Sequence, residues 1–93
     1  MKWKIKFSSQ AEKYYLKLPK NIRRRVKEKT ENLRNVEHPL FHPEVKPLIG
    51  KLEGFYRLKM GKFRIIFGIL EKEKIIAVLN IYPGEKFTNK ITG

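Results

Sequence analysis

The sequence predicts an α+β domain in which an N-terminal strand, a helical hairpin and a three-stranded antiparallel meander follow one another in the order β-α-α-β-β-β. Apolar residues alternate with lysines over residues 2–7, recur at helical spacing over residues 10–34, and alternate again over residues 52–82. The 93 residues suit a single domain, taken as residues 1–93, with residues 83–93 as a tail that frays. We expect both helices to pack on one face of an antiparallel sheet.

Two helices are predicted in the first half of the chain. The first spans residues 10–18, because Ser9 begins a Ser-x-x-Glu run with the spacing of a capping box and Pro19 ends it. The second spans residues 22–34, with Asn21 as its N-cap. Each helix carries an apolar stripe for the sheet and a charged face for solvent.

The second half of the chain is predicted to be a loop followed by three strands. Three prolines interrupt residues 35–50, which we therefore interpret as a loop. The strands are predicted over residues 55–60, 63–70 and 74–82. Gly61 and Lys62 join the first two strands, and the glycine comes first, as a type II′ hairpin turn requires.

The composition is strongly basic. Lys and Arg total 22 against nine acidic residues, all of them Glu, which gives a net charge of +13. Such a charge attracts polyanions, and three partners would offset it: nucleic acid, which we favour, an anionic membrane surface, or an acidic protein. A lysine-rich composition without Asp or Cys also fits heat adaptation alone. The absence of cysteine and of an apolar run of about 20 residues predicts a soluble, cytoplasmic protein that does not span a membrane.

The hairpin around Gly61 carries the main argument for function. A two-residue loop places Lys59 opposite Arg64, and side chains alternate between the two faces of the sheet. One face collects seven apolar side chains suited to packing against the helices, Tyr56, Leu58, Met60, Phe63, Ile65, Phe67 and Ile69. The other face collects three cations and one aliphatic residue, Arg57, Lys59, Arg64 and Ile66.

Three cations on one face, with no acid among them, predict an anion-binding site. Like charges directly opposite on a sheet are destabilising, so their convergence is explained if an anion lies between them. A phosphate group fits, because Arg binds it in a fork and Lys adds a point charge. The alternatives are a solvated outer face without a ligand, and a one-residue slip in register that scatters the cluster.

Residues 51–67, KLEGFYRLKMGKFRIIF, resemble the core motif of the RelE/ParE toxins, roughly Leu-x-Gly, then Tyr-Arg-x-(Arg/Lys)-x-Gly-x-(Phe/Tyr)-Arg and a hydrophobic run. The upstream strand, helical hairpin and proline-containing loop resemble the same family. The resemblance implies a toxin of a type II toxin–antitoxin system that cuts messenger RNA in the ribosomal A site and so inhibits translation, as RelE members do. ParE members instead inhibit DNA gyrase without catalysing a reaction, and that is the alternative.

The same resemblance implies a ribonuclease chemistry that needs neither metal nor cofactor. The 2′-hydroxyl attacks the adjacent phosphate, a base takes the hydroxyl proton, an acid protonates the leaving oxygen, and cations stabilise the developing charge. Lys59 matches the position assigned as the base. Arg57 and Arg64 match positions that hold and stabilise the phosphate.

The chain departs from the family pattern after its last strand. RelE-like members that cleave RNA often carry an Arg and then a Tyr there, but residues 81–87 contain no Arg, and Phe87 stands where the Tyr is expected. Phe stacks on a base but transfers no proton. We assign RNA contacts to Lys86 and Phe87, with Lys86 supplying the lost charge and Tyr82 the lost hydroxyl. A further alternative is a catalytically weak homologue that retains antitoxin or nucleic-acid binding.

The resemblance also implies a protein partner, an acidic RelB-like antitoxin bound in a hetero-oligomer. Such an antitoxin would complement the positive charge of this chain. No metal site is predicted. His38 and His42 stand four residues apart, but the prolines beside them disfavour a helix, and neither Cys nor Asp completes a ligand set.

Overall fold

The computed structural model describes residues 3–83 and shows an α+β fold with two helices and a five-stranded mixed sheet within that range. The elements are β1 (Lys4–Phe7), α1 (Ser9–Lys17), α2 (Lys20–Asn35), β2 (Val45–Pro47), β3 (Tyr56–Met60), β4 (Phe63–Leu70) and β5 (Ile75–Pro83). Single turns of 3-10 helix lie on either side of β2, at Pro39–Phe41 and Gly50–Leu52. The predicted class and order of elements are confirmed, with one strand added.

The strands lie in the order β1-β5-β4-β3-β2. The last three strands of the chain form the predicted antiparallel meander, and β2 is antiparallel to β3. The first strand instead runs parallel to β5, with Phe7 opposite Val78. The sheet is therefore mixed, and the sequence-based expectation of an entirely antiparallel sheet is wrong for β1.

The added strand corrects the prediction of an unbroken loop over residues 35–50. Val45 pairs with Leu58, and Pro47 pairs with Tyr56 at the free edge of the sheet. Proline is tolerated at a sheet edge, because its missing N–H removes no hydrogen bond to a second neighbour. The proline that indicated a loop is thus compatible with an edge strand.

The helix N-termini differ from the predicted ones by one or two residues. Ser8, not Ser9, is the N-cap of α1, since its Oγ accepts a hydrogen bond from the Ala11 N–H at 3.0 Å. The same hydroxyl donates to the Leu79 carbonyl at 2.7 Å, which ties the helix to β5. The second helix begins directly after Pro19, and the prediction of a side-chain cap for it is wrong.

The core lies between the two helices and one face of the sheet, which we call the inner face. Its buried side chains are Trp3, Ala11, Leu18, Val26, Leu33, Leu58, Met60, Ile65, Phe67, Ile76, Val78 and Ile81. The Trp3 indole N–H donates to the Glu37 carbonyl at 3.1 Å, so the ring is buried without an unpaired donor. No helix within residues 3–83 is long and apolar enough to cross a membrane.

The opposite or outer face is partly covered by the segment between β2 and β3, residues 48–55. Leu48 and Ile66 are buried there in a second, smaller apolar cluster. The Leu48 N–H donates to the Phe55 carbonyl at 3.0 Å, which closes the segment on itself. The Phe55 ring lies against Gly68, where an added Cβ would stand 3.2 Å from a ring carbon. This half of the outer face is therefore partly shielded from solvent.

Candidate phosphate-binding site

The β3–β4 hairpin has the register expected from its two-residue loop. Lys59 lies opposite Arg64, and Arg57 lies opposite Ile66. Gly61 has a φ of +56°, the left-handed region that glycine enters at least cost and that a type II′ turn requires at its first position. The predicted pairing of Lys59 with Arg64 is present, as are the four other pairs that the same loop implies, from Met60–Phe63 to Tyr56–Phe67, so the cationic residues share the outer face.

The three cations differ in exposure. The Lys59 side chain is exposed, whereas Arg57 and Arg64 are half-buried. The ion pairs found within residues 3–83 join Lys29 to Glu44 and Arg34 to Glu31, with a third between His38 and Glu71 when the His38 ring is protonated. None of them uses a cation of the outer face. No glutamate of the described residues therefore forms an ion pair with the cluster.

Arg64 is held in place by the hairpin turn. Its Nη1 donates to the Gly61 carbonyl at 3.0 Å and to the Phe63 carbonyl at 2.9 Å. On the helix side of the same turn, the Arg25 guanidinium comes within 2.9 Å of where a Cβ on Gly61 would lie. Two guanidinium groups therefore lie beside the turn, and the one on the outer face is anchored by two hydrogen bonds.

Two buried arginine nitrogens have no hydrogen-bond partner among residues 3–83. The Nε atoms of Arg57 and Arg64 are buried, and neither has a partner among the described residues. A buried donor left unpaired costs about 1–3 kcal/mol, and more when the group is charged. An anion bound between these two side chains would offset part of that electrostatic cost.

Two further residues belong to this face. Lys46, exposed on β2, lies directly opposite Arg57, and sequence reasoning missed it because β2 was interpreted as loop. Tyr82 lies opposite Arg64 on β5, and its hydroxyl accepts a hydrogen bond from the Asn80 Nδ2 at 3.0 Å. Residues two apart in a strand share a face, but β2 has only three residues, so its alternation was too short to indicate the face of Lys46.

The predicted RNA contacts at Lys86 and Phe87 lie outside the described residues. Within residues 3–83, no group of His, Cys, Asp or Glu is arranged to hold a metal ion.

Glu44 is a glutamate whose pKa is affected by a cation of the outer face, Lys59. Its carboxylate receives a hydrogen bond from the Lys29 Nζ at 2.5 Å, and this bond is the main reason that its pKa is lowered, with smaller contributions from His42 and Lys59. The carboxylate is thereby paired with Lys29 on α2. Lys59 contacts Glu44 through the backbone, its N–H donating to the Glu44 carbonyl at 3.2 Å.

His42 lies beside Glu44, and folding changes the pKa of its ring. Partial removal from water lowers the pKa of the ring below its ordinary value of 6.5, Glu44 opposes that effect and Lys29 adds to it. The ring Nδ1 also accepts a hydrogen bond from the Glu44 N–H at 3.1 Å, which requires Nδ1 to be unprotonated. The folded state therefore disfavours the charged ring.

We expect the free energy of unfolding to fall as the pH drops below about 6.5, because the unfolded chain then binds the His42 proton more tightly than the folded chain. His42→Asn keeps an acceptor near the Nδ1 position without a titrating ring, so it should flatten this part of the curve. The measurement is denaturant unfolding of both proteins between pH 7.5 and 5.5. Equal slopes in the two proteins would show that His42 does not contribute.

A family model and several solved structures resemble the chain. The model described as the ParE toxin of the type II toxin–antitoxin system parDE matches residues 5–86. None of the curated proteins compared with the chain matches it in sequence.

Three solved structures illustrate the likeness. The archaeal RelE–RelB complex from Pyrococcus horikoshii contains a chain with 30% identity and a TM-score of 0.72, covering 90% of this chain and 97% of that one. A RelBE toxin–antitoxin complex from Mycobacterium tuberculosis gives 21% identity and a TM-score of 0.77, with 89% and 99% covered. A YoeB–YefM complex from Staphylococcus aureus gives 19% identity and a TM-score of 0.66, with 88% and 97% covered. Because the identities to the Mycobacterium tuberculosis and Staphylococcus aureus chains are low, these two similarities show only that the fold is shared.

Proposed function

Because the chain belongs to the ParE toxin family of type II toxin–antitoxin systems, within the RelE/ParE superfamily, we propose that it is a RelE-like toxin that cleaves messenger RNA in the ribosomal A site and so inhibits translation. One observation carries the proposal. Arg57, Lys59 and Arg64 share the outer face, and no described glutamate forms an ion pair with them. We treat residues 1–93 as one toxin domain that acts in the cytoplasm.

The proposed reaction is a transesterification within the RNA strand. The 2′-oxygen forms a bond to the adjacent phosphorus while the bond from phosphorus to the 5′-oxygen breaks, leaving a cyclic phosphate and a free 5′-hydroxyl. Lys59 takes the proton of the 2′-hydroxyl as general base. Arg57 and Arg64 stabilise the charge on the phosphate oxygens, which is the role that fixed cations perform best in a site shielded from water.

The leaving oxygen needs a proton, and we assign the donor to Tyr82. Its side chain is opposite Arg64 in the sheet, so a phosphate held by that guanidinium would lie on the same face as the phenol. Lys86 would add charge and Phe87 would stack on a base, both outside the described residues. The reaction requires no metal ion or cofactor in this scheme.

A non-enzymatic ParE-like inhibitor of gyrase is the second candidate. Two observations favour it: the matching model is that of the ParE toxin, and residues 81–87 contain no Arg. A catalytically weak homologue that still binds antitoxin or RNA is consistent with the same two observations. Only RelE-like cleavage, however, gives Lys59 a chemical task.

An acidic, RelB-like antitoxin is the proposed partner. The solved structures that resemble the chain include RelE–RelB and YoeB–YefM complexes, and a net charge of +13 suits an acidic chain. If charge pairs dominate, affinity falls as salt rises, since exposed pairs are screened at about 10 Å in 0.1 M salt. We expect the two proteins to form a hetero-oligomer.

The test is expression of the chain in cells, followed by primer extension on abundant messages. RelE-like activity predicts new 5′ ends inside reading frames, arrested protein synthesis and intact DNA. Intact messages together with a DNA-damage response would contradict this proposal and support a ParE-like inhibitor of gyrase. Normal growth at confirmed expression of folded protein would favour the weak homologue.

A further inference from the structure

The cations of the outer face extend across three adjacent strands. Lys46 stands on β2, directly opposite Arg57 on β3. Lys59 follows on β3, opposite Arg64 on β4. Neighbouring strands lie about 4.8 Å apart, so the outermost cations, Lys46 and Arg64, arise from strands about 10 Å apart. Both side chains would have to bend inward to reach one phosphate from that separation, whereas two phosphates allow each side chain to bind its own within about 3 Å.

Lys46 has no acid to neutralise it within the described chain. Glu44 lies two residues before Lys46 in the sequence, but its carboxylate forms an ion pair with Lys29. The three ion pairs found in residues 3–83 leave Lys46 out. Lysine on an edge strand also discourages unwanted strand pairing, but that role does not require it to face an arginine, an arrangement that destabilises the sheet.

The covering segment limits where a ligand can lie. Leu48, two residues after Lys46, is buried against Ile66, and this apolar cluster closes the outer face on one side of the cations. The hairpin turn at Gly61 bounds the other side. Between them the cations line a path across the strands, from Lys46 on the edge strand towards Arg64.

We propose that Lys46 binds the phosphate next to the scissile one, so that the outer face takes two consecutive phosphates of a single RNA strand. The proposal rests on the proposed function and adds a second subsite to it. Arg57, Lys59 and Arg64 hold the reacting phosphate. Lys46 sets the direction of the strand, because only one of the two neighbouring phosphates faces the edge of the sheet.

The test uses a uridine trinucleotide with only two phosphodiester linkages and 2′-deoxy sugars that prevent cleavage. Two further versions carry an uncharged methylphosphonate at the first or the second linkage. Affinity for each is measured by fluorescence anisotropy at low salt, for wild type, Lys46→Ala, Lys46→Arg, Lys59→Ala and Arg64→Ala. Lys72→Ala is the matched control, because Lys72 is an exposed lysine in the β4–β5 turn.

We expect Lys46→Ala to bind the unmodified trinucleotide roughly fivefold more weakly, and the slope of log affinity against log salt to shrink by about 0.7, the change for one lost phosphate contact in a single strand. A methylphosphonate at one of the two linkages should leave the affinity of Lys46→Ala unchanged from its affinity for the unmodified trinucleotide. A methylphosphonate at the other linkage should leave the affinity of Lys59→Ala unchanged in the same way. Lys46→Arg should bind like wild type.

Two results would overturn the proposal, and they differ. In the first, each methylphosphonate lowers the affinity of Lys46→Ala as much as it lowers that of wild type, while Lys59→Ala and Arg64→Ala bind all trinucleotides weakly. The second subsite then does not exist, but the proposed function stands. If all three alanine variants bind every trinucleotide as wild type does, the outer face does not bind RNA, and the proposed function falls with the subsite.

Discussion

Lys59→Ala is expected to slow message cleavage by about a hundredfold to ten-thousandfold, the usual contribution of a positioned general base. The side chain is exposed and belongs to none of the ion pairs described within residues 3–83, so the fold should tolerate its loss. The measurement is single-turnover cleavage on ribosomes programmed with a synthetic message. Growth of cells expressing the variant should recover in parallel.

Lys72→Ala controls for the loss of one positive charge and should remain toxic. Equal cleavage rates for wild type and Lys59→Ala, with equal circular dichroism spectra, would remove Lys59 from the reaction. Arg64→Ala is a less selective probe. It also deletes two hydrogen bonds to the hairpin turn, each worth about 1 kcal/mol of stability, so its effect on activity has to be compared with its effect on unfolding.

Phe67→Ala is expected to produce the largest loss of stability. The ring is fully buried in the central strand β4 and packs against Tyr56 with ring centroids 5.9 Å apart. Truncating a buried Phe costs about 3–5 kcal/mol, a large part of the roughly 5–15 kcal/mol that holds a typical domain folded. In a domain of this size each kcal/mol lowers the melting temperature by about 4–8 °C.

Phe41→Ala is the matched control, because that ring is 69% exposed and its removal should change stability by no more than about 0.5 kcal/mol. Both variants would be compared with wild type by urea unfolding and by thermal melting. A Phe67→Ala protein as stable as Phe41→Ala would mean that the inner face is not packed as described.

The hairpin could be predicted from sequence because its geometry leaves little freedom. With glycine first in a two-residue loop, the pairing of Met60 with Phe63 follows, and the alternation of side chains then assigns every other residue to a face. The grouping of Arg57, Lys59 and Arg64 needed no tertiary information. The inner-face residues were predictable for the same reason.

The remaining features depend on contacts between distant segments. The strand containing Lys46 exists because it pairs with β3, and its three residues carry too short a pattern to outweigh the nearby prolines. The burial of Ile66 depends on Leu48, which lies 18 residues earlier and reaches it through the covering segment. The choice of Ser8 over Ser9 as cap depends on the Leu79 carbonyl, which only the folded chain brings close.

The bonds that Arg64 makes to its own turn have a consequence for how the face would meet a ligand. Immobilising a long side chain upon binding costs about 0.5–1.5 kcal/mol, and for Arg64 that loss of freedom already occurs when the protein folds. Exposed Lys59 keeps its rotamers until a ligand arrives. An incoming anion would therefore meet one rigid anchor that defines its position and one adaptable arm that closes over it afterwards.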